Sequence, residues 1–156
     1  MTGYLSTTFF LFICIVCAAT IYDLLGKPIP IWLTVVGISI KAYELITYEP
    51  YNLREHIFTS AICAIILFGV AYLGNLGGAD CLIGTLIVFQ MGMYGIVALV
   101  VSFILAIPYA VYMKIKNKEK EYPFIPYMMA GVLIVLIIKL KTGCLLYTSP
   151  SPRDTR

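Results

Sequence analysis

The sequence predicts an all-α, polytopic membrane protein of about six transmembrane helices. Three observations carry this. Of the 156 residues, 61% are hydrophobic and 12% charged, where a soluble domain is about half apolar and about a quarter charged. Mean hydropathy is +0.94, and a soluble chain this short leaves too much surface in water to hide so much apolar area. The apolar residues also gather into runs near spanning length, separated by Gly, Pro and charged breaks. Lipid is therefore the expected solvent. A net charge of +3 is too small to suggest nucleic-acid binding, and no nucleic-acid partner is expected.

The first run is Leu5 to Tyr22, ending at Asp23 ahead of Gly26, Lys27, Pro28 and Pro30, a clear helix stop. It lacks a basic n-region and an A-x-A site, so it reads as a retained span. The second run is Ile31 to about Ile46. Glu49 to His56 is polar and contains Pro50, which predicts a link; Ile57 to Leu73 is the third run. Gly74 to Asp80 is a flexible break with a carboxylate at its end. The apolar stretch Cys81 to Met113, about 33 residues, is too long for one span. A break at Gln90 to Gly95 divides it into a short fourth helix of about 11 residues and a fifth. Lys114 to Glu121 is a charged loop, and Pro123-Phe124-Ile125-Pro126 leads into the last run, Tyr127 to Ile138.

Six spans put the links after the first, third and fifth on one side. They carry Asp23, Asp80 and Lys114, Lys116, Lys118 and Lys120, and the lysines mark that side as cytoplasmic. Lys41, Arg54, Lys139 and Lys141 fall on the other side. Residues 142–156 match one reading frame of an adapter used in sequencing libraries. Residues 1–141 are thus expected to be the membrane-embedded core, and Arg153 and Asp154 are set aside.

Aspartate is rare in spans, because charge near the bilayer centre costs several kcal/mol. Outside the tail only Asp23 and Asp80 occur, both at the edges of apolar runs on one predicted side. Neighbouring carboxylates cannot both ionise cheaply, so one keeps a proton. The ionised one can take a proton from water attacking a peptide carbonyl, and the protonated one can polarise that carbonyl. His56, the sole histidine, lies on the opposite predicted side, so Ser-His-Asp chemistry is unsupported. No cluster has metal-ligand spacing, and Cys14 and Cys17 form a CxxC inside a helical run, where they read as packing residues; no metal or cofactor is expected. Each aspartate alone also fits a helix end facing headgroups or a helix cap.

Asp23-Leu24-Leu25-Gly26-Lys27-Pro28-Ile29-Pro30 resembles the first signature of type IV prepilin peptidases and archaeal preflagellin peptidases, in which an Asp is followed at the seventh place by the Pro of an Ile-Pro pair. Gly77-Gly78-Ala79-Asp80 resembles their GxGD motif, with Ala79 in place of the second glycine. Pro123-Phe124-Ile125-Pro126, with Gly131 beyond, is similar to the segment opening the family's last helix. Leu82 stands where the family often has Lys.

The resemblance implies a GxGD-type aspartic endopeptidase in its short form, without the methyltransferase region. Asp23 and Asp80 are the catalytic pair, supported by Lys27, Ile29, Pro30, Gly77, Gly78, Ala79, Pro123, Phe124 and Pro126. It implies a multi-pass protein of the cytoplasmic membrane, with a prepilin or pseudopilin as substrate and the lipid bilayer as surroundings. The glycines before Asp80 would let its loop swing toward Asp23. Glu119 and Glu121 would attract a basic leader, or simply be solvated. The alternatives are a small proton-coupled transporter, which predicts carboxylates deep in spans and an internal repeat, and a structural subunit of a pilus or secretion assembly.

Overall fold

The computed structural model describes residues 4–48, 50–73, 77–115 and 123–147. They form six α-helices and no strand: α1 (Tyr4–Leu24), α2 (Ile31–Tyr48), α3 (Pro50–Leu73), α4 (Gly78–Met91), α5 (Met93–Ile115) and α6 (Ile125–Tyr147).

Local chemistry explains most boundaries. At the end of α1 the Gly26 N–H donates to the Asp23 carbonyl and the Lys27 N–H to the Tyr22 carbonyl, both at 3.0 Å. This paired closure needs a left-handed residue between them, and Gly26 has φ of 62°. Pro28 and Pro30 then keep the chain extended until α2 begins.

The polar stretch after Glu49, expected as a link, is instead the opening of α3. Pro50 is that helix's first residue, where proline's missing N–H costs nothing and its fixed φ suits the helix. The break between α4 and α5 is also tighter than expected. One residue, Gly92 at φ 59°, turns the chain; its N–H donates to the Val88 carbonyl at 2.7 Å. The preceding helix has 14 residues, a rise of about 21 Å. The last helix reaches Tyr147, well past Ile138 and into the segment set aside as adapter-derived. Lys139 and Lys141 do not stop it, since lysine is a good helix former, and the Lys139 ammonium sits 4.7 Å over the Tyr94 ring.

α4 is the centre, packed against all five other helices. Cys81, Ile83, Leu86, Ile87 and Val88 are fully buried, together with Val16 of α1 and Ile125, Met128 and Val132 of α6. α5 and α6 close on each other at Gly131, where any Cβ would collide with Ser102 and with the Ala98 carbonyl. The outside of the bundle is apolar: Ile65, Ile66 and Phe68 of α3 and Ile104 and Ile107 of α5 are exposed. Among the described residues two stretches, Asn52–Tyr72 and Met93–Met113, are long and apolar enough to cross a membrane; Thr8–Leu24 and Gly78–Met91 are apolar but shorter.

Candidate active site

Asp23 lies in the last turn of α1, where the negative end of the helix dipole disfavours a carboxylate. Its compensation comes from 102 positions away: the Ile125 N–H donates to Asp23 Oδ2 at 3.0 Å. Ile125 is the first residue of α6, and the first N–H groups of a helix have no partner within it. Phe124, just before, has no side-chain acceptor with which to cap them. It serves as an anchor instead: it is 3% exposed and its ring centroid lies 5.0 Å from that of Phe103 in α5. The carboxylate thus faces the positive end of α6, which Phe124 holds in place.

Asp80 is the third residue of α4 and is half-buried. The Gly77 N–H donates to its Oδ2 at 3.3 Å, half of a reciprocal cap that Gly77, lacking a side chain, cannot complete. A Cβ on Gly77 would fall 3.1 Å from that oxygen, whereas one on Gly78 would meet nothing within 4 Å. The first glycine therefore gives room to the carboxylate, and the second is not required by local packing.

The charge of Asp23 bears on Asp80. Both lie just outside the apolar runs Leu5 to Tyr22 and Cys81 to Gln90. Asp80 is pushed up to about 6, first by burial and then by the negative charge of Asp23, with the Gly77 N–H pulling the other way. Asp23 is also raised by burial, against the lowering contact from Ile125. The ion pair seen among the described residues, Lys41–Glu44, lies in the second half of α2 and does not neutralise either acid. A carboxyl raised toward neutral pH beside a second acid is a candidate for general acid–base work.

The supporting residues fall into three groups. Phe124 and the Pro123–Pro126 turn position Ile125 against Asp23. Ile29 packs on the core, and the Pro30 carbonyl accepts from the Leu33 N–H at 3.0 Å as α2 begins. Lys27 is exposed and takes part in no ion pair among the described residues. Ala79 and Leu82 are half-buried. The segment carrying Lys116, Lys118, Glu119, Lys120 and Glu121, and most of the loop before Gly77, lie outside the described residues, as does the Lys114 side chain.

His56 sits at the other end of α4, donating through Nδ1 to the Phe89 carbonyl at 2.7 Å. Asp80 and Phe89 are nine residues apart on one helix, a rise of about 14 Å. Cys14 is exposed and Cys17 half-buried. No three His, Cys, Asp or Glu side chains among the described residues converge as a metal site.

The sequence reading missed the amide of Ile125. Two signals pointed to it: an acid at the unfavourable end of a helix, and a proline-flanked helix start whose preceding residue cannot cap it. No protein-family model, no curated protein and no solved structure matches the chain.

Proposed function

We propose that this chain is a multi-pass aspartic endopeptidase of the cytoplasmic membrane that removes the leader of a prepilin-like substrate. The carrying observation is the pairing of Asp23 and Asp80 at one end of the bundle, close enough for the charge of one to raise the other. Three separated segments, Asp23 to Pro30, Gly77 to Asp80 and Pro123 to Pro126, contribute to that end, and these are the segments that resemble the prepilin peptidase signatures.

In this reading all six helices cross or enter the bilayer. The apolar outer faces of α3 and α5 support that, because a soluble bundle would turn its most apolar helices inward. α4 is too short for a hydrocarbon layer of about 30 Å. Its neighbours shield it, so Asp80 sits at a recessed edge that water and a polar leader reach from the cytoplasm. The substrate's apolar stem stays in lipid while its leader meets the acids. Hydrolysis needs one carboxylate to accept the proton of water and one carboxylic acid to polarise the scissile carbonyl.

A structural reading has a specific observation in its favour: each aspartate accepts a backbone N–H at a helix start. Asparagine separates the two readings, because it caps helices about as well as aspartate but cannot trade a proton. The test is co-expression with a prepilin, reading leader removal by the mass of the product. The wild type shortens the substrate; Asp23→Asn and Asp80→Asn leave it full length while remaining folded in membranes. Full processing by either variant rejects the proposal, and absence of processing by the wild type favours the structural or transport readings.

A further inference from the structure

We infer that the backbone amide of Ile125 is a positioning group that sets the division of labour in the pair, holding Asp23 as the base and leaving the shared proton on Asp80. The inference rests on the peptidase reading for its chemistry but on separate geometry for the contact.

The two acids are held differently. Asp23 Oδ2 takes a hydrogen bond of 3.0 Å from another helix, on the free first amide of α6. Asp80 Oδ2 takes a longer one, 3.3 Å, from its own segment three residues back. An amide favours the charged form of the carboxylate it meets. The contact to Asp23 has the positive end of a second helix behind it, and Phe124, seated on Phe103, stops that end from drifting. Asp80 is the more costly place for a charge, buried and facing ionised Asp23. The other titratable groups on the described elements at this end are Tyr22 of α1, Lys27 before α2, Tyr72 of α3, Cys81 beside Asp80 on α4, Tyr109 and Tyr112 of α5 and Tyr127 of α6. Of all these groups Asp80 is the carboxylate.

The chemistry then balances. The Asp23 carboxylate removes a proton from water as the water oxygen bonds to the peptide carbon, and the Asp80 acid gives its proton to the carbonyl oxygen. The C–N bond of the tetrahedral intermediate breaks as Asp23 returns its proton to the departing nitrogen. Asp80 recovers a proton from a hydroxyl of the intermediate as the new carboxylic acid forms. Water and peptide are consumed, acid and amine are released, and both aspartates regain their starting states.

The test exploits a property of helix starts. Ile125→Pro deletes the amide hydrogen at a position where proline is otherwise welcome, while Ile125→Ala keeps the amide and reproduces the loss of the buried side chain. Where Ile125→Pro fails to fold, the α-hydroxy analogue of isoleucine at 125 replaces only the N–H by an ester oxygen. Two readouts are taken in lipid nanodiscs: the pH profile of prepilin cleavage, and titration of the Asp23 carboxyl by carbon-13 resonance in the Asp80→Asn background.

The proline or ester variant is expected to move the acidic limb, and the Asp23 titration, upward by about one pH unit, a tenfold change in the ionisation constant. Ile125→Ala leaves both in place. If proline, ester and alanine variants titrate alike while the wild type cleaves normally, the role of the amide is overturned and the peptidase reading survives. If Asp23 shifts as expected in a chain that cleaves no prepilin, the contact stands and the peptidase reading falls.

Discussion

The two ends of α4 both carry polar groups inside an apolar bundle, and they handle them in opposite ways. At the Phe89 end charge is cancelled where it arises: Lys41 Nζ and Glu44 Oε2 meet at 3.3 Å, both side chains about nine-tenths buried, and His56 satisfies the Phe89 carbonyl. At the Asp80 end two acids face each other with only backbone amides for partners in the described hydrogen bonds. Buried charge is costly unless paired. The first end cancels charge within α2 and uses His56 to tie α3 to α4. The second retains an unrelieved repulsion, which stability alone does not favour and which marks it as a candidate functional site.

The largest expected effect breaks the comparison at its acidic end. Asp23→Asn and Asp80→Asn each lower leader cleavage by on the order of 10³-fold or more, read by product mass, while membrane-folded protein persists. The next tests the other end. Glu44→Met strands the Lys41 charge and is expected to destabilise the fold by roughly 3 kcal/mol, with the cleavage rate per folded molecule unchanged. The double change Lys41→Met with Glu44→Met restores most of that stability. If either change abolished cleavage without loss of stability, the two ends would not be functionally distinct.

A subtler effect follows from the raised Asp80. In the unfolded chain this carboxyl ionises near its ordinary value, about 4; in the fold it does so near 6. Between those values the folded state binds the proton and the unfolded state does not, so stability falls as pH rises through the window and the penalty is complete above it. Asp80→Asn is therefore expected to raise thermal stability at pH 7 by on the order of 1 kcal/mol after solvent screening. The gain should fade below about pH 4. A stability loss at pH 7 would mean that the fold does not penalise the ionised Asp80 carboxylate. The smallest effect belongs to Cys81→Ser. The Cys81 thiol donates to the Leu67 carbonyl at 3.4 Å, a contact serine keeps, so cleavage should change by less than about twofold. A strong loss would place the thiol in the chemistry and redraw the active end.

Helix existence was legible wherever an apolar run met a chemical stop. Gly26, Pro28 and Pro30 end α1 and delay α2 as their backbone preferences demand. The beginning of α3 was not legible, because Pro50 and the polar residues after it read equally as a link or as a helix's first turns. What decides is whether a neighbour uses them, and His56 reaches the α4–α5 turn. The Gly92 break was legible as a region and not as a residue. A six-residue glycine-containing stretch offers several turning points, and contact with His56 selects one. Gly77 and Gly78 looked equivalent in sequence; only the nearness of the Asp80 carboxylate separates them.

By itself the sequence determined that the chain is helical, that its two acids stand at helix ends, and that those ends fall on one side. These follow from composition, periodicity and local stops, all carried by neighbours along the chain. The tertiary structure alone decided that α4 is the central helix, that Asp80 lies near enough to feel the charge of Asp23, and that Asp23 rests on the first amide of α6. A backbone N–H carries no side-chain signature, and a contact spanning 102 positions exists only once the intervening helices have packed.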